Sequence, residues 1–147
     1  VTSESAHNDA DLSYVRDALR ALRDAGLASD AVVAGARDPR LRASARRTRV
    51  AQRDDVRALT SLMREWGRTV VVTRPVAAAS AGTSAADVPV SDRGLVALLV
   101  AQAEASIRSA RIEMVAGFGT VSRAHAEGTI RAGSRELAVL RRLEPEG

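Results

Sequence analysis

The sequence predicts an all-α protein, a four-helix bundle in which two tandem helical hairpins are joined by a long linker. Three observations lead there. The apolar fraction is 46%, yet only one Phe, one Trp and one Tyr contribute to it, so a core must be built from Ala, Val and Leu. Small side chains let helices pack closely, whereas a sheet sandwich recruits β-branched and aromatic residues. Apolar residues also recur at three- and four-residue steps over long segments, the spacing that lines them up on one helix face. Finally, the two halves match at an offset of 81, with Tyr14-Val15 opposite Leu95-Val96 and Asp55-Val56 opposite Glu136-Leu137; a constant offset points to a duplicated hairpin. At 147 residues the chain suits one domain with a core of its own.

The first helix is expected from Asp9 to Ala34, with Leu12, Val15, Leu19, Leu22, Gly26 and Val33 facing inward and Gly35 as its stop. Asp38-Pro39 restarts the chain as a helix, because Asp accepts from free amides and Pro tolerates the first position. The second helix places Leu41, Ala45, Thr48, Gln52, Val56, Leu59, Met63 and Trp66 inward and ends at Gly67. These elements make a first hairpin over 9–67. Residues 68–90 read as a linker: Val70-Val71-Val72-Thr73 suits a short extended piece, and Ala77 to Ala86 is low-complexity between Pro75 and Pro89. The second hairpin, 91–144, opens with Ser91-Asp92 capping a helix that carries Val96, Val100, Ala103, Ile107, Ala110 and Met114, widened by Leu95 and Leu99. Gly117 and Gly119 break it. Thr120 is the expected cap of a fourth helix with Ala126, Ile130, Gly133, Leu137 and Leu140 inward, and Pro145 lies past its end. A linker of this length can return along a helix of about 28 residues, ~42 Å long. Helices two and three can therefore run parallel through a crossover, with an up-down-up-down bundle as the alternative.

All 22 basic residues are Arg; with 18 acids they leave a net charge of +4. An Arg-only, Ala-rich composition reflects GC-rich coding more readily than selection for Arg chemistry, and mixed charge is the ordinary solvated surface. The absence of Cys excludes disulfides, thiolate metal sites and a Cys nucleophile. The longest apolar stretch, Gly94 to Ala101, falls far short of the ~20 residues that span a bilayer, so no transmembrane segment is expected.

The segment Tyr14 to Gly67, with Asp38-Pro39-Arg40-Leu41-Arg42, Gln52-x-x-Asp55-Val56 and Leu62-Met63-Arg64-Glu65-Trp66-Gly67, resembles the bacterial domain-of-unknown-function family 305. Leu95 to Leu143 resembles it more weakly, and the two segments cover about two thirds of the chain. The resemblance implies a ferritin-like bundle, exported or envelope-associated, whose members often carry a His-His pair with flanking Met in the first helix of each repeat, ligands suited to copper. Here the matching positions read Ala21-Leu22 and Gln102-Ala103. The Met positions read Asp17, Ala18 and Ala28, then Leu98, Leu99 and Ser109. The ligands are gone, so the fold carries over while metal binding does not, and no cofactor is expected.

Other chemistry is sparse. His7 lies in a polar N-terminal stretch and His125 early in the fourth helix, with no HxxxH or ExxH pair. Glu104, Glu113 or Glu127 could converge on His125, but ordinary surface positions are the simpler expectation. Gln52 and Gln102 fall on inner faces, either as polar contacts to a ligand or as residues at the edge of the core, and core edge is preferred. Met63 and Met114 read as gap-fillers. Arg42, Arg46, Arg49, Arg53 and Arg57 form a row on helix two that could hold a polyanion; a solvated, ion-paired face is preferred, and nucleic acid is disfavoured because no aromatic residues interleave. Arg123, Glu127 and Arg131 show the same ion-paired style. No triad, phosphate loop or nucleotide fingerprint appears. The sequence thus reads as a non-enzymatic, secreted or envelope-associated bundle, with a cytoplasmic protein as the alternative, acting through a protein partner or a homo-oligomer. Residual copper-type metal binding through carboxylates, His125 and Met114, and polyanion binding through the Arg row, are the alternatives in function.

Overall fold

The computed structural model describes residues 6–68 and 91–143, and the expectations for 69–90 lie outside them. The described residues form four helices and no strand: α1 (Asp9–Gly35), α2 (Pro39–Glu65), α3 (Asp92–Ala116) and α4 (Thr120–Arg142).

Each helix end has a local cause. Asn8 closes a capping box on α1: its Oδ1 accepts from Asp11 N at 2.9 Å, and its own N–H donates to Asp11 Oδ2 at 2.6 Å. Asp38 caps α2, accepting from Arg40 N at 2.8 Å, with Pro39 in the first turn. Ser91 caps α3 through Gly94 N at 3.1 Å. Gly67, at φ 68°, ends α2 in a Schellman turn, in which its N–H donates to Arg64 O and that of Arg68 to Met63 O. Helix α4 departs from expectation. Its N-cap is Gly119, which offers no side chain, and Thr120 is already helical. The missing cap comes from another helix: Asp11 of α1 accepts from the N–H groups of Phe118 and Gly119, both at 2.9 Å.

The same device recurs at the opposite end. Asp92, at the start of α3, accepts from Arg37 N at 2.7 Å and Asp38 N at 2.9 Å in the α1–α2 turn. Asp92 stands 81 positions after Asp11, and Phe118 and Gly119 stand 81 positions after Arg37 and Asp38, so each hairpin's first helix caps the other hairpin's turn. These contacts place the start of α1 at the α3–α4 turn and its end at the start of α3. Helix α1 is therefore antiparallel to α2 and α3, and α2 and α3 run parallel. Arg68 and Ser91 lie at opposite ends of the bundle, which is the crossover arrangement and not the up-down-up-down one.

Two buried clusters fill the ends. One gathers Tyr14, Val15, Leu59, Leu62 and Ala126 with Met63 and Trp66. The other gathers Leu95, Val96, Leu140 and Ala45, with Leu143 packed against it; these are the first five residues' counterparts at the same offset of 81. Facing helices exchange bulk between the halves. In the first hairpin Gly26 of α1 lies under Arg49 of α2, whereas in the second Ile107 of α3 fills the space over Gly133 of α4. Most of the expected inner faces hold, with three corrections. Val32 is fully buried where Val33 was expected. Val56 is 36% exposed because its neighbour Asp55 turns to the interior, and Glu113 is buried at 1% exposure.

Candidate functional site

Between the two end clusters the four helices do not close completely, leaving a cavity of about 130 Å³. Its lining follows the repeat: Ala18 and Leu99, Ala21 and Gln102, Leu22 and Ala103, Ala25 and Ser106, Thr48 and Thr129, Ala51 and Ala132, Gln52 and Gly133, and Asp55 and Glu136 all border it. Each pair is 81 positions apart, so both halves of the chain contribute corresponding positions to the cavity. Its origin is compositional. Ala and Gly at facing positions bring helix backbones together but supply too little side-chain volume to fill the centre.

Polar groups gather at two levels. At one, the Tyr14 hydroxyl lies 2.8 Å from His125 Nδ1, and His125 Nε2 lies 3.4 Å from Asp55 Oδ1. Burial pushes Tyr14 up to about 12, so the phenol keeps its proton and can donate it to Nδ1. His125 then carries its hydrogen on Nε2, on the Asp55 side. That nitrogen is buried, and the Asp55 contact lacks hydrogen-bond alignment. At the other level, Glu136 accepts from Thr48 Oγ1 at a long 3.4 Å, and burial raises its carboxyl above the usual range. Between them Gln52 Nε2 donates to Ser29 Oγ at 3.3 Å, while Gln52 Oε1 is buried without a partner. Among the described residues the cavity lining contains two carboxylates and no Arg.

A second polar cluster sits outside the cavity, at the α3–α4 turn. Asp11 is fully buried and also accepts from Ser122 Oγ at 2.9 Å. Burial raises its pKa, but hydrogen bonds from Glu113, Asn8, Gly119 and Ser122 outweigh that effect and hold it below the ordinary value. Glu113 beside it is pushed up to about 7, first by burial and then by Asp11. Both Glu113 oxygens lack a conventional partner. A proton held on Glu113 and donated to Asp11 resolves this, since two adjacent buried carboxyls cannot both ionise. This corner joins three helix ends and is structural.

The residues singled out from sequence are distributed differently. Arg42 donates to the carbonyls of Ala36 at 2.6 Å and Arg37 at 2.9 Å, closing the α1–α2 turn. Arg49 pairs with Asp30 at 3.1 Å and Arg57 with Asp54 at 3.4 Å, while Arg46 and Arg53 are exposed. His125 is not a surface residue: its side chain is 16% exposed and borders the cavity. Glu104 and Glu127 are exposed, and Glu113 meets Asp11. Gln52 and Gln102 both reach the cavity, as do Ala21, Leu22 and Ala103, the other positions that the resemblance matched to metal ligands. Those side chains do not fit a copper-type ion. Ala and Leu provide no donor atom, Gln is a poor ligand for a soft ion, and the described residues contain no group of three His, Cys, Asp or Glu placed to hold a metal. Sequence reasoning missed the Tyr14–His125–Asp55 chain, whose members come from three helices and share no local motif. No described helix is long and apolar enough to cross a membrane. No family model matches the chain, no curated protein matches it and no solved structure matches it.

Proposed function

We propose that the protein is a non-enzymatic binding bundle of ferritin-like design whose central cavity takes up a small polar ligand. The observation that carries this is the pair of buried atoms bordering one cavity without a hydrogen-bond partner, Gln52 Oε1 and His125 Nε2. A buried polar atom left unsatisfied costs about 1–3 kcal/mol, and a guest that hydrogen-bonds to both recovers that loss. The volume is close to that of an engineered cavity of ~150 Å³ that admits benzene, so the guest has the size of a small ring or short chain. The crossover arrangement and the matched lining support the ferritin-like design and the duplicated hairpin. The Tyr14 hydroxyl engages His125 Nδ1, which fixes the ring and leaves Nε2 to a guest, an orienting role for this histidine.

The test is methyl NMR on the cavity residues Ala21, Ala25 and Leu22 during titration with small alcohols, amides and amines. Saturable shifts are expected at those methyls, and Ala21→Phe, which fills the space, is expected to abolish them while the fold persists. Shifts that survive in Ala21→Phe, or no shift from any probe at millimolar concentration, would overturn the proposal.

A second function has its own observation. Ile112, Val115, Phe118 and Val121 are 68%, 89%, 66% and 42% exposed within ten residues at the α3–α4 corner. Concentrated apolar exposure marks protein contacts, which supports a partner surface or a homo-oligomer. Light scattering of Val115→Glu with Phe118→Glu tests self-association: a wild-type dimer made monomeric supports it, and an unchanged mass would overturn self-association through this corner.

A further inference from the structure

We infer that the cavity is built for a small aliphatic dication, a short α,ω-diamine, held by Asp55 at one end and Glu136 at the other. This rests on the cavity being a binding site and adds the chemical class of its occupant.

The charge balance comes first. Among the described residues no Arg borders the cavity, whose ionisable lining there is Tyr14, Asp55, His125 and Glu136. Neither carboxylate has an Arg partner among the described ion pairs, although Arg pairs with Asp or Glu elsewhere on α1, α2 and α4. Asp55 faces only His125 and Glu136 only Thr48, each across 3.4 Å. A carboxylate drawn partly out of water is stabilised by a cationic partner, and among the described residues neither the half-buried Glu136 nor the half-exposed Asp55 has a strong one. A cation from outside would supply it.

Spacing and shape then restrict the cation. Asp55 stands seven positions beyond Thr48 on α2, about 10 Å along the helix, and Glu136 lies at the Thr48 level. Two charge-assisted hydrogen bonds of about 2.8 Å leave about 5 Å between the nitrogens, the span of an extended three-carbon or a folded four-carbon spacer. Much of the lining is small and apolar, with Ala18, Ala21, Leu22 and Ala103 to accommodate methylenes, and the polar Gln52 and Gln102 border the same space. Gln52 Oε1, buried at 8% exposure and unpartnered, is placed to accept one further N–H, since an ammonium carries three donors. Asp55 is the half-exposed end at 45%, so a ligand enters there and seats its leading ammonium against Glu136.

Calorimetric titration of the full chain tests this with 1,3-diaminopropane and 1,4-diaminobutane, against n-pentylamine, 1,5-pentanediol and glutarate at equal ionic strength. One diamine is expected to bind per chain at least tenfold tighter than n-pentylamine, with no binding of glutarate. Asp55→Asn and Glu136→Gln should each weaken diamine tenfold or more and leave pentylamine less affected. Thermal unfolding of each variant checks its fold, and Glu136→Gln is isosteric. Pentanediol binding as tightly as diamine, or neutral probes shifting the cavity methyls while diamine does not, would remove the dication and leave the cavity as a binding site. Diamine binding unchanged in the double variant would place it elsewhere and overturn the inference. Absence of binding by every probe would remove both.

Discussion

Replacing Glu113 with Gln tests the proton shared at the α3–α4 corner. Glu113 is 1% exposed, touches fully buried Asp11 and is pushed up to about 7 from its ordinary 4.5. A raised folded-state value means that the native protein holds this proton more tightly than the unfolded chain. The associated stability is fully present below about pH 4.5 and is lost as pH rises through about 7. A shift of this size corresponds to at most about 3 kcal/mol. Exposed Asn8 and Phe118 flank the corner and admit solvent, which reduces the expected loss to about 1–2 kcal/mol. Asp11 titrates with the opposite sign. Its lowered value contributes stability above the unfolded pKa of 3.8, lost as pH falls through the folded value. Gln mimics the protonated acid in shape and can donate its N–H to Asp11, but cannot ionise. Urea unfolding at pH 5 should therefore find wild type and Glu113→Gln within about 1 kcal/mol. At pH 8.5 the variant should be the more stable by about 1–2 kcal/mol, a rise in midpoint temperature of roughly 3–8 °C. A constant difference between the two proteins from pH 5 to 8.5 would show that Glu113 is ionised throughout and refute the shared proton.

The two cross-hairpin caps should differ in strength. Asp11→Ala strands the N–H groups of Phe118 and Gly119 in a buried corner and should cost about 3–4 kcal/mol by urea unfolding, whereas Asp92→Ala, whose partners lie nearer solvent, should cost about 1–2 kcal/mol. Gly26→Ala displaces the Arg49 guanidinium and weakens its half-exposed ion pair with Asp30, worth about 0–1 kcal/mol. Ala improves helix propensity by about 1 kcal/mol, so calorimetric melting should show a net change within about 1 kcal/mol despite the steric overlap. Arg42→Ala removes two bonds to turn carbonyls and should cost about 1 kcal/mol, while exposed Arg46→Ala should change the melting temperature hardly at all.

Helix positions were legible because apolar spacing and capping residues are local signals: Asp38-Pro39, Ser91 and Gly67 each act within a few residues of where they stand. The offset of 81 was legible too, and Asp55 opposite Glu136 turns out to mark both ends of the cavity. What the sequence hid is what arises between helices. The α4 cap could not be read from Thr120 because the acceptor is Asp11, more than 100 residues away. His125 looked like a surface residue because its partners Tyr14 and Asp55 belong to α1 and α2. Glu113 looked solvated because nothing in its neighbourhood on α3 announces the carboxylate of α1 that lets it stay protonated.

The offset of 81 also explains why one end of the cavity differs from the other. Where the second hairpin has Leu95, the first has Tyr14, and where the first has Ser44, the second has His125. Both exchanges fall at the same level of the bundle, since Tyr14 and His125 meet across 2.8 Å. They put a neutral donor and an imidazole beside Asp55, while Glu136 at the opposite level keeps Thr48 alone. A symmetric duplicate would have presented two equivalent carboxylates to a symmetric guest. This chain presents one carboxylate oriented by a hydrogen-bonded ring and one that burial holds towards its protonated form. A diamine entering between them must displace any proton from Glu136, so its affinity should rise with pH across the range where that carboxyl ionises. Titrations at two pH values on either side of that range should differ in that direction for wild type and converge for Glu136→Gln. A pH dependence that persists unchanged in Glu136→Gln would assign it to His125 or Asp55 instead.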